Sequence, residues 1–234
     1  EEYINRYSKP HSEIPFIGGA IGYCSYEMKS KEKGNLVLPK LSMGIYDWAL
    51  IIDHFLQEAY LVTTNVDDDT SKNWSTYIEL FSALKTNKTN NFNVKKDADD
   101  NLSFEAYRKK FSKAMEYLKE GDCYQINLSK QYKAIVDGDS WQFYKVFRNL
   151  NKSRYMAFLD FKDFEILSGS PERFIQARDN HVVTRPIKGT KRRDKDPIQD
   201  QKNAEALKKS IKDQSENLMI VDLLRNDLRK NCDI

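Results

Sequence analysis

The chain has 234 residues, 40% of them hydrophobic and 31% charged, and its 38 basic and 35 acidic side chains give a formal net charge of +3. That length can bury a sizeable core in one large domain or two small ones, and the near balance of charge gives no electrostatic case for nucleic acid or a membrane surface as partner. No apolar run approaches the roughly 20 residues of a membrane-spanning helix, and the opening Glu1-Glu2-Tyr3-Ile4-Asn5-Arg6 has no signal-peptide character. Cys24, Cys123 and Cys232 are odd in number and far apart, with no C-x-x-C pair, which suits a reducing cytoplasm better than a disulfide or zinc framework. The start without Met and the stop at Asn231-Cys232-Asp233-Ile234 give the expectation of a piece of something longer.

Residues 14–27, with three glycines among apolar and aromatic side chains, read as a strand with close backbone packing rather than a phosphate loop, because the G-x-G-x-x-G spacing is missing. Residues 43–52 and 58–65 read as two strands of a hairpin turned at Asp53-His54. Residues 71–86 carry Trp74, Tyr77, Ile78, Phe81 and Leu84 at helical spacing, a core-packing stripe. These residues form an N-terminal sheet portion over 1–86. Asn, Lys and Asp then dominate 87–102, which reads as a polar linker too poor in apolar residues to pack a core.

A C-terminal portion over 103–234 opens with a helix. Ser103 is its N-cap, the stripe runs from Phe104 to Leu118, and Gly121 ends it. Residues 122–136 alternate, with Cys123, Gln125, Asn127, Ser129 and Gln131 on one side; this polar row faces either solvent or a cavity. A helix follows around Trp141–Leu150, then short strands at 155–160, 164–167 and 174–177. Between the last two, Pro171 breaks the ladder and sets Glu172 at a strand start.

The next apolar strand, His181 to Thr184, runs into Arg185-Pro186-Ile187-Lys188-Gly189-Thr190. Pro186 stiffens this corner and Gly189 allows a tight turn, so Lys188 projects from a defined position, as a nucleophile or as a surface cation. The dense basic run from Lys188 to Lys195 includes Asp194 and no aromatic residue, and reads mainly as a solvated loop. Residues 199–228 form the longest helical pattern, free of Gly and Pro, with Asp213, Glu216 and Asp227 along one stripe. Beyond Asn217 the pattern is apolar nearly all round and predicts burial. Carboxylates beside a buried helix need either basic partners, with Arg225 one candidate, or a metal.

Four motifs in chain order carry a resemblance: Gly121-Asp122-Cys123-Tyr124-Gln125-Ile126-Asn127-Leu128-Ser129, Ser170-Pro171-Glu172-Arg173-Phe174, Thr184 to Thr190, and Glu216-Asn217-Leu218-Met219-Ile220-Val221-Asp222-Leu223-Leu224-Arg225-Asn226-Asp227. Together they resemble the chorismate-utilising enzymes over nearly the whole chain, and Pro15 to Tyr23 fits an early segment of the same family. Isochorismate and salicylate synthases carry a lysine base where this chain has Gln125, and anthranilate synthases carry Ala where it has Lys188. The combination is most similar to the aminodeoxychorismate synthase component I branch, which makes the precursor of para-aminobenzoate for folate synthesis.

The resemblance implies an α+β fold of large, mostly antiparallel sheets with helices packed outside, incomplete at both ends. It implies chorismate and ammonia as substrates, a glutamine amidotransferase subunit as partner, Mg²⁺ as cofactor and a cytoplasmic location. Lys188 is implied as the covalent amine, which attacks only when neutral. Glu172 is implied as the general acid, which holds its proton in a dehydrated pocket. Gln125, Gly189 and Thr190 are implied at the substrate, Glu216 at the metal and Asp213 as a weaker metal candidate. The family continues beyond Asp227 into a second metal glutamate and a glycine-rich carboxylate-binding segment that this sequence lacks. The 234-residue chain alone is therefore expected to be weak or inactive. The alternatives are an anthranilate synthase component I, or a non-catalytic fragment of the fold.

Overall fold

The alternating apolar runs pair as antiparallel ribbons in a computed structural model that describes residues 14–29, 38–83 and 91–233. With the intervening helices they make an α+β chain, and each sheet among the described residues has two strands. The chain divides into two units, Glu1–Lys88 and Thr89–Ile234.

In the first unit β1 (Gly19–Cys24) pairs with β2 (Leu41–Tyr46), and β3 (Trp48–Asp53) pairs with β4 (Glu58–Thr63). The run 43–52, expected as one strand, is broken at Asp47, where the chain passes from one ribbon to the other. Asp47 is buried, which an interior carboxylate tolerates only when saturated with donors. Its carboxylate accepts from the Thr64 hydroxyl, from the Val66 N–H at 3.1 Å and from the Asp67 N–H at 3.2 Å. Burial pushes its pKa up, but hydrogen bonds from Thr64, Val66, Asp67 and Thr70 outweigh this and hold it below the ordinary 3.8. Helix α1 (Asp68–Ser82) starts from the Asp67 cap and lays Tyr77 on Trp48 with ring centroids 4.9 Å apart.

In the second unit, residues 92–100 of the stretch read as linker instead form β5 (Phe92–Asp100), paired with β6 (Tyr132–Gly138). Backbone pairing and flanking ion pairs, Lys95 with Asp137 at 3.4 Å and Lys130 with Asp100 at 2.6 Å, hold a strand whose side chains are almost all exposed. The strand expected from residue 122 begins only at Tyr132, because the β5 register ends at Asp100 opposite Tyr132 and leaves 122–131 without a ladder partner there.

Helix α2 (Phe104–Glu120) has the expected Ser103 cap and the Gly121 left-handed end, φ +81°. Helix α3 (Ser140–Asn151) packs on the hairpin of β7 (Tyr155–Phe161) and β8 (Phe164–Ser170). There Trp141, Tyr144 and Phe158 have ring centroids 5.1 to 5.5 Å apart around the buried Tyr144. A short ribbon, β9 (Gln176–Arg178) with β10 (His181–Val183), precedes the Lys188 turn.

The long helical pattern of 199–228 is two helices, α4 (Pro197–Lys208) and α5 (Ile211–Leu228). Ser210 caps the second, accepting from the Asp213 N–H at 3.4 Å, and the run restarts there. The predicted burial beyond Asn217 is not found: Leu218 is 70% exposed and Leu223 51%, and no residue of α5 is buried. The short β9–β10 ribbon shares a cavity with Val221, Leu224 and Leu228, which leaves Leu218 and Leu223 in solvent while Met219, Ile220, Leu224 and Leu228 are half-buried.

Candidate active site

Two tethers fix the Lys188 turn. Thr184, just past β10, donates its hydroxyl to the Phe174 carbonyl at 2.6 Å. Three residues on, the Ile187 N–H donates to Glu172 Oε1 at 2.8 Å. Glu172 is itself shaped by Ser170, whose hydroxyl donates to the Glu172 carbonyl at 3.1 Å, with Pro171 ending β8 between them. The carboxylate of Glu172 is thus bonded one residue away from Lys188. Downstream, Arg193 pairs with Asp200 at 2.8 Å and holds that carboxyl below its usual range, tying the basic loop to the first turn of α4.

Gly189 turns the chain with φ +73°, in the left-handed region that favours glycine. A Cβ at that position would stand 2.9 Å from Asp213 Cγ, so the backbone of the turn lies directly on the first turn of α5. A cavity of about 330 Å³ there is lined by Lys188, Asp213 and Asn217 together with Pro186, Leu207 and Gln214. Lys188, Asp213 and Glu216 are half-buried, and among the described residues none of their charged groups has a hydrogen bond or ion pair. Arg225, the candidate partner for these carboxylates, pairs instead with Asp222 at 2.6 Å. Asp227, third in the acidic stripe, is taken by Lys230 at 2.8 Å.

Gln125 lies elsewhere. With Asn127, Arg225 and Arg229 it lines a separate cavity of about 650 Å³ against the C-terminal half of α5. Thr190 and Glu172 are exposed, so the dehydrated pocket expected around the acid is not formed by the described residues. Sequence reasoning missed the Ser210-Ile211-Lys212-Asp213 cap that divides the long helical run, although a Ser three residues before an acid is a recognisable start signal.

No three His, Cys, Asp or Glu side chains among the described residues converge as a metal-holding group. Asp213 and Glu216, three residues apart on α5, offer two hard-oxygen donors on one side of the helix. That number and chemistry suit Mg²⁺, which takes one or two protein carboxylates and completes its shell with water and ligand oxygens.

Comparison with known proteins places the chain in a family. The description "chorismate binding enzyme" matches residues 2–234. Aminodeoxychorismate synthase component 1 of Salmonella typhimurium is 38% identical over 234 residues, covering 97% of this chain and 50% of that protein. The Escherichia coli protein of the same name is 39% identical over 225 residues, covering 93% of this chain and 48% of its own. Anthranilate synthase component 1 of Lactococcus lactis is 31% identical, covering 93% and 51%. Among solved structures, anthranilate synthase component I from Streptococcus pneumoniae superposes with a TM-score of 0.80 at 25% identity, over 97% of this chain and 54% of that one. The chain spans about half the length of the curated relatives it matches. It belongs to the chorismate binding enzymes.

Proposed function

We propose that this chain carries the nucleophile-bearing part of an enzyme that aminates chorismate to 4-amino-4-deoxychorismate. The observation that carries the reading is the Glu172 carboxylate bonded to the Ile187 N–H beside Lys188, with Gly189 seated on the helix that bears Asp213 and Glu216. The 4-hydroxyl of chorismate is a poor leaving group, and ammonia must end at the carbon that bears it. In the first displacement Lys188 Nζ bonds C2, the ring double bonds shift, and the C4–O bond breaks as Glu172 gives its proton to the departing oxygen as water. In the second, ammonia bonds C4, the double bonds shift back, the C2–N bond breaks and Lys188 is released. Chorismate and ammonia become product and water.

Lys188 supports this branch over anthranilate synthesis because an amine at C2 gives the 4-hydroxyl an allylic route out. The same turn carries Gly189 and Thr190, which are proposed at the substrate, like Gln125, on the resemblance alone. Glu216 would hold Mg²⁺; when bound, the ion would neutralise the ring carboxylate. The relatives are named component 1, which fits a second component, and a glutamine amidotransferase supplying ammonia is the partner this chemistry calls for. Folate synthesis in the cytoplasm is the setting that follows. Product analysis with the full-length protein, chorismate, ammonium and Mg²⁺ is expected to give 4-amino-4-deoxychorismate without pyruvate. Anthranilate with pyruvate, or untouched chorismate, would overturn the reading.

A further inference from the structure

We infer that Asp213 is a positioning residue that seats the Lys188 turn on α5, rather than a metal ligand; this rests on the reading of Lys188 as the reacting amine. Asp213 occupies the third position of α5 after the Ser210 cap. In a reciprocal cap, the acid at that position returns to the N–H of the capping residue. Here the Ser210 N–H donates instead to the Leu207 carbonyl at 3.2 Å, and the Asp213 carboxyl group lies against Gly189.

The fit is close on several atoms. A Cβ at residue 189 would stand 2.9 Å from Cγ, 3.0 Å from Cβ and 3.1 Å from Oδ1 of Asp213. The contact is one of shape, since no hydrogen bond or ion pair engages this carboxylate among the described residues. Gly189 is therefore required twice over, once for φ +73° and once because the space its side chain would fill holds Asp213. Lys188 precedes it and lines the same cavity, so the volume of Asp213 fixes how far the lysine stands from the helix and from Glu216, four-fifths of a turn further on.

Asparagine has the shape of aspartate without its charge, which separates the two roles. In the full-length protein, Lys188 reactivity is read by mass spectrometry as the rate of modification by an amine-reactive reagent without metal, and Mg²⁺ affinity by calorimetry. Asp213→Asn is expected to leave both unchanged. Asp213→Ala is expected to change the Lys188 rate several-fold at unchanged Mg²⁺ affinity. Gly189→Ala should shift the rate as well, and adding Asp213→Ala should recover part of that shift by removing the Cγ and Oδ1 contacts while the Cβ contact and the φ strain remain. An unchanged Lys188 rate in Asp213→Ala overturns the proposal. So does a loss of Mg²⁺ affinity of roughly tenfold or more in Asp213→Asn, the mark of a group that serves the metal. Neither readout needs turnover, so a failure of the amination reading shows separately, as Lys188→Ala protein that still aminates.

Discussion

Asp47 in the first unit and Asp213 in the second carry the same carboxylate into opposite surroundings. Asp47 is only 6% exposed and is met by the Thr64 hydroxyl and the Val66 and Asp67 N–H groups, so its charge is fully spent on holding the β2–β3 crossing and the start of α1. Asp213 is half-buried, and like Lys188 and Glu216 beside it, its charged group has no protein partner among the described residues. A saturated charge is structural, because nothing is left over to bind. The half-solvated charges of Lys188 and Glu216 remain available to a ligand, while Asp213 meets the turn by shape, and the tethers at Thr184 and Glu172 keep the amine in place.

Substitutions on the two sides should separate stability from chemistry. The largest effect is expected at Lys188: Lys188→Ala should remove chorismate amination altogether in the full-length protein while its melting temperature stays put, since the lysine makes no ion pair among the described residues. Continued amination would make Lys188 a bystander. The reverse is expected of Asp47→Ala, which strands the donors around a buried carboxylate and should cost about 3 kcal/mol in the unfolding of the first unit, read by urea titration. A loss near zero would mean that water replaces the carboxylate without penalty.

Acid should act on the same residue. The pKa of Asp47 lies lower in the folded chain than its ordinary 3.8, so its stabilisation is complete above that value and is lost as the pH falls through the folded value. The difference in stability between wild type and Asp47→Asn should accordingly shrink below about pH 4; a constant difference down to the acid transition would contradict the assignment. The smallest effect is expected at Ser210. Ser210→Ala removes the cap of α5 and should cost about 1 kcal/mol, whereas no change would show that the helix start is held from elsewhere.

Local signals in the sequence recovered elements of both units where a helix or turn explains itself. Ser103 and Gly121 bound α2, the Trp74–Tyr77–Phe81 stripe became the packed face of α1, and Pro171 ended β8. Three readings failed where the deciding partner lies far along the chain. Residues 122–131 alternate like a strand but have no neighbour in register among the described residues, the polar 92–100 do have one, and Asp47 interrupts an apolar run because of donors some twenty residues later. The apolar end of α5 reads as buried from its own composition, yet burial depends on what is laid over it. For the site, the Lys188 turn, the Glu172 segment and the helix bearing Asp213 and Glu216 were legible as separate motifs. The seating of Gly189 on Asp213 was not, because it depends on two segments over twenty residues apart meeting within van der Waals contact.

The central claim is that Lys188 forms a bond to the substrate. Its most direct test withholds ammonia, so that the second displacement has no nucleophile, and follows the Lys188 peptide of the full-length protein by mass spectrometry after incubation with chorismate and Mg²⁺. The expected result is a gain of one chorismate less one water on that peptide, discharged when ammonium is added and slowed in its formation by Glu172→Gln. Unmodified Lys188 in a protein that goes on to aminate chorismate when ammonium is supplied would contradict covalent catalysis by this residue.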